Sequence, residues 1–78
     1  MKDGEGEMKI EKGEAYAEDK SWWQRLEVLV SEVVDGRIYY WEITGWNYGS
    51  PFLGIEGSTT LRQFPKRFPN RIEMVQAP

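Results

Sequence analysis

A mainly β fold is predicted for this 78-residue chain: a small antiparallel barrel of about five strands, with a short helical or 3-10 turn near residues 59–69. Three features predict it. Leu26, Val28 and Val30 alternate with Glu27, Leu29 and Ser31, the period of two of a half-buried strand. Asp35-Gly36 separates that run from Arg37-Ile38-Tyr39-Tyr40-Trp41-Glu42-Ile43-Thr44, and Asp-Gly supplies the positive φ angles of a type I′ hairpin turn. Pro65 and Pro69 exclude a continuous helix or central strand through the segment before the last apolar run.

Taken in order, residues 1–10 read as a flexible acidic arm, and residues 11–78 as a single small domain. Residues 8–17 alternate weakly and predict an irregular first strand. Residues 18–21, Glu-Asp-Lys-Ser, form a polar connector. The hairpin follows, both arms rich in the β-branched and aromatic residues that suit strands. Residues 45–51, Gly-Trp-Asn-Tyr-Gly-Ser-Pro, have loop chemistry. Residues 52–56 predict a short fourth strand, with Gly57-Ser58 as a turn. Residues 59–64 extend the sheet or open a helical turn capped by Ser58 or Thr59, with Leu61 and Phe64 on one face. Residues 71–75 predict the last strand.

This pattern resembles the SH3-like barrels, including small phage and prophage proteins of that shape. The resemblance spans residues 12–75. It rests on the opening at Gly13, the hairpin over 26–43, and Thr60-Leu61 followed by Phe64 and Phe68. The acidic first loop and paired tyrosines of proline-peptide readers are missing, so the resemblance implies a fold and no proline-peptide site. Its phage-like character implies a small adaptor or an inhibitor of a host protein.

Composition narrows the chemistry. The chain has no cysteine and no histidine, which removes disulfides, thiolate nucleophiles, the usual zinc ligands and the commonest general base. No serine lies in a nucleophile-elbow context, and no phosphate-binding glycine pattern is present. Asp3, Glu5, Glu7 and Glu14 echo a calcium loop, but Met8 stands where such a loop needs glycine. No enzyme activity, cofactor or metal is expected. No apolar run reaches the roughly 18 residues of a membrane span, and residues 1–7 lack the apolar run expected of a signal peptide. The expectation is a cytoplasmic protein without membrane contact.

Three features point to binding. Four tryptophans, four tyrosines and three phenylalanines exceed what a core this small needs, because such a domain buries only roughly 60% of its unfolded surface. Trp22, Trp23, Tyr39, Trp41, Trp46 and Tyr48 are the candidate anchors, since tryptophan and tyrosine dominate interface energetics. The plainer reading folds the arm and the 45–51 loop over them. Around a cation or an apolar ligand, Tyr39, Trp41, Trp46 and Tyr48 would form a cage. Second, Phe64-Pro65-Lys66-Arg67 repeats as Phe68-Pro69-Asn70-Arg71. Its phenylalanines suit the core, while Lys66, Arg67 and Arg71 suit a carboxylate-rich protein face or a phosphate backbone. Third, charge is uneven: residues 1–35 hold ten acids and five bases, whereas the remainder holds three acids and five bases, for a net −3. An acidic total disfavours an extensive nucleic-acid surface. A protein partner is therefore the first expectation. Nucleic acid bound by aromatic stacking and the basic repeat is the alternative, followed by self-association as a structural subunit.

Overall fold

The computed structural model describes residues 9–74. In chain order it contains β1 (Ala15–Ala17), β2 (Glu27–Val34), β3 (Arg37–Asn47), β4 (Ser50–Thr60), the single turn α1 (Phe64–Arg67) and β5 (Asn70–Ile72). The strands form one antiparallel sheet in the order β4-β3-β2-β1-β5. The predicted strand content is present, but the barrel is not. Among the described residues β4 pairs only with β3 and β5 only with β1, so the sheet stays open with two edges. β5 is only three residues long, and phenylalanines from the α1 segment cover the core where closing strands would otherwise stand.

Antiparallel partners project to the same side of a sheet, so register assigns the faces. Tyr16 opposes Val28, Val30 opposes Tyr40, and Val33 opposes Ile38; these residues make the inner face. A bulge between Val30 and Glu32 shifts the alternation by one residue, so Val33 faces inward and Glu32 outward. Phe64 and Phe68, one helical turn apart, cap this face and are fully buried. The Phe64 ring meets Tyr16 edge-on at 5.3 Å, and Phe68 meets Tyr40 at 5.6 Å. Edge-to-face packing of this kind adds about 0.5–1.5 kcal/mol per pair beyond area burial. Ile10 joins the same cluster.

Several element boundaries differ from the sequence expectation, each for a local reason. The first strand shrinks from 8–17 to Ala15–Ala17 because the chain turns at Gly13, whose φ is +90°. Residues 45–51 are not a loop: β3 runs to Asn47 and β4 starts at Ser50, joined by a tight turn at Tyr48-Gly49. Gly57-Ser58 is not a turn but lies inside β4, where Gly57 opposes Tyr40. A Cβ at Gly57 would stand 2.8 Å from the Tyr40 ring, so the glycine makes room for that ring. Thr60, rather than Ser58 or Thr59, receives the chain entering α1, its Oγ1 accepting the Gln63 N–H at 3.1 Å. The buried pair is Phe64 with Phe68, while Leu61 is exposed. The last strand is Asn70–Ile72. Val75 and residues 1–8 of the acidic arm lie outside the described residues.

Tyr16 has a displaced titration in the core. Its hydroxyl donates to Glu14 Oε1 at 2.8 Å. Burial, reinforced by that hydrogen bond and by the Glu14 charge, pushes its pKa up from 10 to about 12. Below pH 10 the phenol is neutral in both folded and unfolded chains. Above it the unfolded chain ionises first, so the folded state loses stability as pH rises from 10 to about 12. The expected result is a thermal midpoint that falls across that window and falls less in Tyr16→Phe.

Candidate functional site

The sheet brings one set of loops to one end. Ala17 opposes both Glu27 and Asn70, and the antiparallel meander places the Asn47–Ser50 turn at that end as well. The β1–β2 loop, the β3–β4 turn and the exit of α1 therefore emerge together. Of the candidate residues named from sequence, Trp22, Trp23, Trp46, Tyr48, Lys66 and Arg67 lie at this end.

The β1–β2 loop is closed at its neck by Glu18. The Glu18 N–H donates to the Leu26 carbonyl at 3.0 Å, and the Leu26 N–H donates to Glu18 Oε1 at 3.0 Å. At the tip, the Ser21 carbonyl accepts the N–H groups of Gln24 at 2.8 Å and Arg25 at 2.9 Å. This single turn places Trp22 and Trp23 side by side instead of on opposite sides of an extended strand. Their rings stack edge-to-face at 5.8 Å and remain 77% and 68% exposed. A loop with a locked neck and two uncovered indoles presents anchors that lose little entropy on binding.

The second element is the outer part of the β3–β4 hairpin. β2 begins at Glu27, whereas β3 continues past its last pairing with β2 to Asn47, so the hairpin end stands beyond β2 as a two-stranded ribbon. Trp46 is fixed there, its Nε1–H donating to Glu27 Oε1 at 2.7 Å. Arg25 holds the other oxygen of Glu27 through Nε at 3.0 Å and NH2 at 2.8 Å. At the tip, Tyr48 has φ +52° and Gly49 φ +82°. Tyr48 is fully exposed. A left-handed conformation costs a bulky L-residue roughly 1–2 kcal/mol, which asparagine and glycine largely avoid. Among the described residues the ring packs on nothing that would repay that strain. Tyr48→Asn is accordingly expected to raise stability by about 0.5–1 kcal/mol, read as a rise of a few degrees in thermal midpoint.

Tyr39 and Trp41 lie elsewhere, on the outer face of the sheet, with Tyr40 on the inner face as alternation requires. Tyr39 opposes Glu32 and Ser58, and Trp41 opposes Leu29 and Glu56. Both are partly covered, so the four-aromatic cage of Tyr39, Trp41, Trp46 and Tyr48 is not assembled around one point. Sequence reasoning missed Phe52, Leu53 and Ile55 on edge strand β4, all exposed; read only as a short fourth strand, the segment gave no signal of its edge position.

The basic repeat is largely satisfied within the chain. Arg71 donates to Glu14 Oε2 at 2.7 Å. The Arg67 Nε lies 3.9 Å from Glu18 Oε2, and its guanidinium sits 5.0 Å over the Phe68 ring. Lys66 is exposed, with no carboxylate within salt-bridge distance among the described residues. Among the described residues no group of three or more acids forms a metal cluster, and no helix is long and apolar enough to cross a membrane. Comparisons with protein-family models, curated proteins and solved structures find no match.

Proposed function

We infer that this is a non-enzymatic protein-binding module whose contact surface is the end of the sheet bearing the Trp22–Trp23 loop and the Trp46–Tyr48 hairpin. One observation carries the reading: three large aromatics, Trp22, Trp23 and Tyr48, are mostly or fully exposed on two rigid elements that emerge side by side. Exposed aromatic clusters on preorganised backbone are the anchors of protein interfaces. Nucleic acid is the weaker reading because Arg67 and Arg71, two of the three bases it would use, are paired with Glu18 and Glu14. An adaptor or an inhibitor of a host protein is the form of the module that suits its size and aromatic surface.

The test is a tagged pull-down with and without nuclease, comparing the parent with a Trp22→Ala, Trp23→Ala, Tyr48→Ala triple variant. A protein retained after nuclease and lost from the variant is the expected result. Capture that disappears with nuclease and survives the variant would put the basic repeat and nucleic acid ahead of the aromatic surface. Self-association is the second reading, favoured by β4. That edge strand runs eleven residues with Glu56 as its one charge and exposes Phe52, Leu53 and Ile55. Unprotected apolar edges pair with other chains, and sedimentation equilibrium of the purified protein separates this reading from a monomeric module.

A further inference from the structure

Beneath the aromatic end lies an open cavity of about 320 Å³, lined by Arg25, Glu27, Trp46, Gly49, Ile72, Glu73 and Met74. We propose that this cavity receives a lysine or arginine side chain of the protein partner, its stem against Trp46, Ile72 and Met74 and its cation on Glu73. The proposal rests on the protein-binding reading and adds the chemistry of what is read.

Charge decides the occupant. Three charged residues line the cavity. Two of them cancel: Arg25 directs Nε and NH2 to Glu27 Oε2, and the remaining oxygen, Oε1, accepts the Trp46 indole N–H. The Arg25 and Glu27 charges thus offset one another within the wall of the cavity. Glu73 is exposed and has no cation within salt-bridge distance among the described residues. It leaves the cavity one uncompensated negative charge. Glu73 also lines a neighbouring depression of about 200 Å³ with Arg71, but Arg71 is committed to Glu14. An anionic side chain would meet Glu73 without a free base to hold it. A purely apolar one would leave that carboxylate partly desolvated and unpaired.

The walls agree with that sign. Lysine and arginine carry an apolar stem and a cationic head, which matches an indole, an isoleucine and a methionine ending at one carboxylate. The indole is held at its N–H edge by Glu27, so its ring is a fixed wall, and tryptophan is the preferred aromatic partner of a cation. The volume lies at the small end of the range for ligand sites, suited to one long side chain.

The experiment uses the full chain labelled with ¹⁵N and titrated with four peptides, Ac-Gly-Leu-X-Leu-Gly-NH₂, where X is arginine, lysine, norleucine or glutamate. Saturable shifts of the Trp46 indole N–H and of the Ile72, Glu73 and Met74 amides are expected for arginine and lysine. Norleucine is expected to bind at least tenfold more weakly, and glutamate not at all. Glu73→Gln, a change at an exposed side chain, is expected to weaken the arginine peptide about fivefold while Glu73→Asp keeps most of the affinity. Equal binding of norleucine and arginine overturns the proposal. Shifts confined to Trp22 and Trp23, or no shift with any peptide, overturn it too. Each of these leaves the protein-binding reading standing, since that reading falls only with the pull-down.

Discussion

Phe64→Ala is expected to remove a large part of the fold's stability. Phe64 is fully buried and its ring touches three others: Tyr16 at 5.3 Å, Phe68 at 5.0 Å and Tyr40 at 6.2 Å. Truncating a buried phenylalanine costs about 3–5 kcal/mol, through lost transfer free energy and the cavity left behind. At typical values a chain of 78 residues has only about 4–12 kcal/mol in total. The loss would thus consume about a quarter of the stability at best, and all of it at worst. Collapse into the gap is limited, because α1 is one turn and its neighbours on the sheet are fixed by pairing. Urea unfolding followed by tryptophan fluorescence should show the midpoint falling steeply or the cooperative transition vanishing. Phe64→Leu should fold with a smaller loss, under about 2 kcal/mol. A Phe64→Ala protein with the parent's midpoint would mean that α1 does not cover the sheet.

Gly57→Val should destabilise by about 1–2 kcal/mol, although strand propensity alone predicts the opposite sign. Valine is better than glycine in a strand by up to about 1 kcal/mol. Against this, a Cβ at position 57 would lie 2.8 Å from Cε1 and Cζ of Tyr40. That ring is 4% exposed and packs on Phe64 and Phe68, so it has nowhere to go without opening the core. Overpacking of this kind costs about 1–3 kcal/mol. Gly54→Ala provides the contrast. Its Cβ would approach Thr44 Cγ2 to 2.7 Å, but Thr44 is exposed and its side chain can turn toward solvent. If thermal midpoints show Gly57→Val matching or exceeding the parent, the packing of Tyr40 across β4 is refuted.

Legibility in the sequence followed the strength of local signals. The Asp35-Gly36 hairpin was readable because both residues favour the positive φ angles they adopt, +50° and +73°. Its twin at Tyr48-Gly49 uses the same geometry with a tyrosine at the first position, so turn chemistry gave no warning and the segment read as a loop. Burial of Phe64 and Phe68 was readable from the proline-stiffened repeat. Openness of the sheet was not: edge status depends on which strands meet, and nothing in the composition of β4 or β5 encodes their failure to pair. For the site, type and exposure of Trp22, Trp23 and Tyr48 followed from an excess of aromatics over core. That Arg67 and Arg71 are neutralised by Glu18 and Glu14 depended on contacts between distant segments, beyond the reach of spacing arguments.

The order of the strands also dictates how the molecule must be made. β1, β2, β3 and β4 form a meander of neighbours in sequence, whereas β5 returns across the length of the chain to pair with β1, its register joining Ala15 to Ile72 and Ala17 to Asn70. Local pairs form early, and pairs that close a long stretch of chain form late. Phe64 and Phe68 also come later in the chain than every residue they cover. A growing chain therefore has no sealed core until α1 has left the ribosome, and its meander meanwhile exposes Val28, Val30, Ile38 and Tyr40. Closure of the core is thus expected as one late, cooperative step, and until it is complete the apolar face of the meander is open to chaperones and proteases.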